Sequence, residues 1–162
     1  MFLARRSFLR GERVGRAIPL RPPWALAEAA FESSCTRCDA CLDACPTGVL
    51  VRGDGRFPEA DFGRAECNFC GACLRACAPG ALTRANPDAA AWAHVAAISH
   101  ACLVQRRVAC ASCGEACPKD ALRFELRPGG ITGPKVEATA CNGCGACVRV
   151  CPAGAIHMTR QG

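Results

Sequence analysis

The sequence predicts an α+β chain made of two small units in tandem, with few short strands and helices. Three observations predict it. Cysteine supplies 16 of the 162 residues. The cysteines fall into four groups of similar spacing, so the groups are internal repeats. Between Cys45 and Cys67 lie 21 residues and between Cys117 and Cys141 lie 23, so the groups pair as one–two and three–four. The apolar share is 51%, but cysteine and alanine make up much of it, and there are only 7 Phe, 2 Trp and no Tyr. An ordinary hydrophobic core is hard to build from this, and something else must hold the chain together. Cysteines this many and this regular exclude a disordered chain. No stretch reaches the ~18 apolar residues of a membrane span.

The spacing decides what the cysteines do. The first group is Cys35-x2-Cys38-x2-Cys41-x3-Cys45-Pro46, and the fourth is Cys141-x2-Cys144-x2-Cys147-x3-Cys151-Pro152. The second, Cys67, Cys70, Cys73 and Cys77, differs only in placing Ala78 before Pro79. The third, Cys102, Cys110, Cys113 and Cys117, has a first gap of seven residues. This is the bacterial-ferredoxin spacing for [4Fe–4S] clusters, in which the fourth cysteine serves the neighbouring cluster. Three thiolates two residues apart wrap one face of a cluster. Small residues such as Gly71 and Gly145 let the backbone approach the sulfurs, and the proline ends the turn. Zinc ribbons use paired Cys-x2-Cys knuckles far apart, and disulfides rarely join cysteines packed this closely. The sixteen cysteines are therefore the expected iron ligands, for four clusters, or three if the Cys102 motif is empty. The other reading of Cys102 is a buried free thiol at a helix end. Cross-ligation should join Cys35, Cys38 and Cys41 to Cys77, and Cys67, Cys70 and Cys73 to Cys45. In the second unit it should join Cys102, Cys110 and Cys113 to Cys151, and Cys141, Cys144 and Cys147 to Cys117.

In chain order, residues 1–30 read as an irregular basic arm. Its Arg5-Arg6 pair resembles a twin-arginine export motif, but arginines break every apolar run after it, so the chain is expected to stay in the cytoplasm. Arg21-Pro-Pro-Trp24 ends the arm, either as a docking element or as a stiff spacer whose Trp packs on the first unit. Residues 31–84 form the first bacterial-ferredoxin-like unit. After each fourth cysteine comes an apolar pair: Val49-Leu50, Ala81-Leu82, Ala121-Leu122 and Ala155-Ile156. Short strands are expected at Leu122–Leu126 and from Ile156 to Met158, with apolar lead-ins around Phe57–Phe62 and Lys135–Glu137. Residues 85–101 read as a connecting helix: Asn86-Pro87-Asp88 fits a helix start, and Trp92, Val95 and Ile98 recur at helical spacing. Residues 102–162 form the second unit.

Charge and chemistry narrow the function. The formal charge is +6. Each oxidised cluster with its thiolates carries about −2, so four of them bring the loaded protein near −2 and remove the argument for nucleic acid. No Gly-rich phosphate loop, zinc finger or RNP motif is present. His94, His100 and His157 have no evident nucleophile to activate; His94 and His100 could ligate iron, but four complete cysteine sets favour surface or satisfied helix histidines. Fully cysteine-ligated clusters offer no open iron to substrate. The chain reads as an electron carrier or cluster-using accessory protein and not an enzyme.

With these residues in view, the chain resembles the NapF family, the ferredoxin-type proteins of the periplasmic nitrate reductase system. The resemblance rests on the Arg5-Arg6 arm, Arg21-Pro-Pro-Trp24, Cys35-Thr-Arg-Cys-Asp-Ala-Cys41, the stretched third motif and Cys141-Asn-Gly-Cys-Gly-Ala-Cys147. It implies a cytoplasmic protein that assists maturation of the molybdenum-containing catalytic subunit before export, by binding that subunit directly. It carries the ligand role to all sixteen cysteines. The rival reading is a polyferredoxin passing electrons to another cytoplasmic or membrane oxidoreductase, and a third is a purely structural cluster protein.

Overall fold

The structure, a computed structural model, describes residues 19–126 and 132–160. Arg5, Arg6 and the rest of the arm to residue 18 lie outside the described residues. The helices are short: α1 (Glu28–Ser34), α2 (Ala40–Asp43), α3 (Ala72–Ala76), α4 (Ser112–Glu115) and α5 (Ala146–Arg149). The strands are β1 (Leu50–Arg52), β2 (Pro58–Ala60), β3 (His94–Ile98), β4 (Leu122–Leu126), β5 (Thr132–Val136) and β6 (Ile156–Arg160). They pair antiparallel into three two-stranded sheets, β1–β2, β4–β5 and β3–β6. This is a small mixed α/β fold in which a cysteine loop precedes each apolar pair. All eight residues of the four apolar pairs are buried.

The two units close in the same way. Asp61 N–H donates to the Val49 carbonyl at 2.8 Å, and Glu137 N–H to the Ala121 carbonyl at 2.7 Å. Leu26 N–H donates to the Ala81 carbonyl at 3.1 Å, and Ser99 N–H to the Ala155 carbonyl at 2.8 Å. In both units, then, the segment leading into the first cysteine group is tied to the segment leaving the last. In the first unit that tie is a single bridge, Ala25 to Leu82. In the second it is the whole β3–β6 ladder, from His94↔Arg160 to Ile98↔Ile156.

The expected connecting helix over 85–101 is therefore corrected: its centre is strand β3, which belongs to the second unit. The reason is local and tertiary together. Asn86 accepts the Asp88 N–H on its side chain at 3.1 Å and the Ala89 N–H on its carbonyl at 3.1 Å, so Asn-Pro-Asp forms a turn and not a helix cap. Beyond it, β6 has a backbone edge to pair, and Val95 and Ile98 suit a strand. A register bonded over five residue pairs outweighs the helix preference of the alanines.

The end of the arm is also structural. Trp24 is 7% exposed, and its indole N–H donates to the Ala89 carbonyl at 3.2 Å. Its backbone N–H donates to the Ala91 carbonyl at 2.9 Å. Pro22 and Pro23 are fully buried. Arg21 is buried as well and is not part of a free basic surface. It donates to Glu28 at 2.6 Å, pairs with Glu59 at 3.5 Å and Glu32 at 3.7 Å, and sits 5.1 Å from the ring centres of both Phe31 and Phe57. Three carboxylates and two aromatic faces make this a partnered buried charge. Of the two readings of Arg21-Pro-Pro-Trp24, the structure supports the packed spacer.

His94 gives a pH prediction. It is buried beside Phe62 and Trp92, and its Nε2 has no hydrogen-bond partner among the described residues. Burial, and secondarily the Arg160 charge, push its pKa down to about 4. Below an unfolded value of about 6.5, the unfolded chain takes up a proton that the folded chain refuses. The stabilisation is thus full above pH 6.5 and is lost as the pH falls toward 4. At pH 5 the loss amounts to roughly 2 kcal/mol. Denaturant midpoints of iron-loaded protein at pH 7 and pH 5 should separate wild type from His94→Leu, whose midpoint falls less; equal falls contradict the account.

Candidate metal centre

The loops of motifs one, two and four share a backbone design. In motif one the two Cys-x2-Cys gaps contain Arg37 (φ 57°) and Asp39 (φ 63°), and in motif two Phe69 (φ 57°) and Gly71 (φ 69°). Motif four has Gly143 (φ 76°) and Gly145 (φ 81°) in the same places. Positive φ at both gaps curls the chain so that successive N–H groups face one side. Glycine is required at 145 for a second reason: a Cβ there would overlap the Phe62 ring. Asp39 adopts its αL conformation while its carboxylate accepts from Arg52 Nη2 at 2.7 Å. That bond, with the Arg52 and Arg56 charges, holds the carboxyl below its ordinary range against some desolvation.

Each motif then ends in one tight turn. The carbonyls of Cys45, Cys77, Cys117 and Cys151 accept from the N–H groups of Gly48, Gly80, Asp120 and Gly154 at 3.1–3.3 Å. Proline at the second position of three of these turns is pre-set for them. N–H groups also reach the sulfurs: Phe69 donates to Cys67 Sγ at 3.5 Å, Ala121 to Cys117 Sγ at 3.3 Å and Ala155 to Cys151 Sγ at 3.2 Å.

The folding of these loops brings the cysteines together across motifs. Cys35, Cys38 and Cys41 line one cavity with Cys77. Cys67, Cys70 and Cys73 line a second with Cys45. Cys102, Cys110 and Cys113 line a third with Cys151. The three cavities are alike in size. Around Cys147 of the fourth group stand Cys144, Cys141 and Cys117, and also Cys113 of the third set. Cys102 is thus beside its three partners despite the long gap, which the 3-10 turn Leu103–Arg106 fills.

All sixteen thiols are free. Among the described residues, no three His, Cys, Asp or Glu side chains converge closely enough to hold a single ion. Four thiols spread around a cavity fit a group larger than one zinc, whose sulfurs stand only ~2.3 Å from the metal. The donor set fits a cluster for a further reason. Burial, then the neighbouring Cys35, Cys73 and Cys77 thiols, push Cys41 up to about 12. Burial raises Cys73 to about 11 and Cys147 to about 12, each helped by its neighbour thiols. Several thiolates cannot share such a site without compensating positive charge, which iron supplies as the thiol protons leave. Cys38 and Cys45 fall below the ordinary thiol value. For Cys38 the chief cause is the Ala40 N–H; for Cys45 the Thr47 hydroxyl and nearby N–H groups together outweigh burial. No histidine lines the three cavities, and His100 and His157 are exposed.

A family model of the 4Fe-4S dicluster domain matches the chain twice, at residues 34–81 and 106–155. The ferredoxin-type protein NapF of Haemophilus influenzae is 45% identical over 166 residues, covering 96% of this chain and 93% of the relative. The chain belongs to the NapF family. The NapF of Escherichia coli K12 is 39% identical over 153 residues, covering 94% of this chain and 92% of the relative. The methylamine utilization ferredoxin-type protein MauM of Methylobacillus flagellatus is 34% identical, covering 90% of this chain and 69% of its own length. As a NapF-family chain with two dicluster domains and sixteen cysteines, the protein carries [4Fe–4S] clusters, about four in number.

Two features of this region have no trace in the cysteine pattern. Phe62, Trp92 and His94 form an aromatic group against the motif-four loop. Arg21 is bound by Glu28 and Glu32, four residues apart on α1, and that acidic spacing after Arg-Pro-Pro-Trp is the signal that marks it as structural.

Proposed function

We propose that the sixteen cysteines ligate four clusters in crossed sets; the lining of three cavities, each by three cysteines of one motif and the fourth of its neighbour, supports this. On that basis the protein is read as an accessory protein assisting maturation of the molybdenum-containing catalytic subunit of periplasmic nitrate reductase in the cytoplasm, before export. The observation that carries this reading is membership of the NapF family over nearly the whole chain. The chemistry available is consistent with it. A bound cluster supplies one-electron chemistry. The chain's own residues supply the thiols and aim N–H groups at their sulfurs. Among the described residues no helix is long and apolar enough to cross a membrane. The partner is the catalytic subunit in its unexported form, with no nucleic acid and no membrane insertion. Because Trp24 and Arg21 are buried, the docking role proposed for the arm is given to residues 1–18.

The test pairs two variants in a strain that makes the catalytic subunit. Replacing one cysteine in each motif should lower that subunit's activity without abolishing its synthesis. Deleting residues 1–18 should weaken its co-purification with this protein while iron content stays unchanged. Normal maturation of the catalytic subunit in the absence of this protein contradicts the reading. The alternative, a polyferredoxin serving another oxidoreductase, is favoured by the similarity to a protein named for methylamine utilization, and it would then take its place.

A further inference from the structure

The loops of motifs two and four meet. Cys67 N–H donates to the Cys144 carbonyl at 2.9 Å, and the Cys144 thiol is near enough to act on the Cys67 thiol electrostatically. Beside them Phe62 of the first unit lies buried against Gly145 of the second. Trp92 and His94 pack on the Phe62 ring with centroids at 5.6 and 5.8 Å. Glu66 pairs with Arg149 across the rim at 3.4 Å. Val148 and Met158 pack on the hydrophobic clusters of both units. Among the described residues no backbone hydrogen bond joins the motif-one or motif-three loop to the other unit. The cavities holding Cys35, Cys67 and Cys102 are each lined by residues of one unit alone, so the contact between units is made by the loops and not through a shared cavity.

The geometry points to one row of four cluster sites, in the order motif one, motif two, motif four, motif three, with Phe62 as the positioning residue of the middle junction. This rests on the crossed ligand sets proposed above. Within each unit the exchanged fourth cysteines already hold two sites side by side; the Cys67–Cys144 junction joins the two pairs. In such a row one electron taken from a one-electron donor at one end passes to a one-electron acceptor at the other. The donor is oxidised and the acceptor reduced by one electron, and no cysteine ligand bond forms or breaks. The protein is then a single carrier with two ends and not two independent carriers. Cys38, at the motif-one end, is exposed, as is Cys70 of motif two. Val108, two residues before Cys110 at the motif-three end, is one of the two exposed large apolar side chains among the described residues.

Magnetic coupling between clusters tests the row in the anaerobic, iron-loaded, chemically reduced chain. Replacing two cysteines of a site with alanine empties it. One variant keeps only the motif-two and motif-four sites; another keeps only motifs two and three. Each should hold about eight irons. A different count speaks against the ligand sets, and the row is then judged on the intact chain. The first variant should show the broadened, split electron paramagnetic resonance of adjacent paramagnets, and the second two independent signals. Coupling in the second, or none in the first, overturns the order. In the intact sixteen-cysteine protein at unchanged iron content, Phe62→Ala should reduce the coupled signal and Phe62→Leu should retain it. An unchanged spectrum for Phe62→Ala overturns the junction.

Discussion

Removing iron from the loaded protein is expected to unfold it. No described helix exceeds the seven residues of α1, and no described sheet has more than two strands. Helices under ~12 residues and isolated two-stranded sheets are marginal in water. The cysteines are themselves part of the interior: Cys73, Cys113 and Cys147 are buried, and most of the others pack against the same two clusters of apolar side chains. Without iron, three of the sites leave four thiols around a cavity that nothing fills. Metal binding in small domains is worth on the order of 10 kcal/mol, comparable to the whole stability of a domain. Chelation under reducing conditions should therefore abolish the cooperative unfolding transition and most of the near-ultraviolet circular dichroism. A chain freed of iron that still melts in one sharp transition would contradict the expectation.

The second large effect is a crossed loss of ligands. Cys77→Ala alters a residue of motif two, yet it should empty the site built by motif one, because Cys77 shares that cavity with Cys35, Cys38 and Cys41. Cys45→Ala should do the reverse, exposing Cys67, Cys70 and Cys73. Iron should fall from about sixteen to about twelve per chain in each case. Alkylation followed by mass spectrometry reads which thiols have become reactive. If Cys77→Ala instead unmasks Cys67, Cys70 and Cys73, each motif closes on itself and the crossed sets are wrong.

Much of this architecture was legible because metal ligation has a fixed local grammar. Three thiols on one curled loop demand short gaps, small or αL-tolerant residues and a turn to end it, and these are local features. The apolar pairs were legible for the same reason: Val49-Leu50 and its three counterparts follow at the same distance from each fourth cysteine. What escaped was non-local. Trp92, Val95 and Ile98 sit at a spacing that suits one face of a helix, and only the register with residues 156–160 shows that the chain is extended there. The contact of Phe62 with Gly145 joins residues 83 positions apart, and neither carries a mark of the other. A charge count places Arg21 with the basic arm because it treats exposed and buried arginines alike; three carboxylates around it decide its place.

The equivalent closing bonds of the two units bear on how the chain was descended. Leu26 and Ser99 occupy the same structural position, since each donates to the first residue of an apolar pair. From Leu26 to the second cysteine of its motif, Cys38, is twelve residues; from Ser99 to Cys110 is eleven. The two halves thus use almost the same length of chain over this stretch. In the first, the helical turns come before the first ligand, as α1; in the second they come after it, between Cys102 and Cys110. If the halves are copies of one ancestral gene segment, the long gap of the third motif records a ligand that moved toward the N-terminus along a loop of nearly constant length, and no insertion was needed to make it.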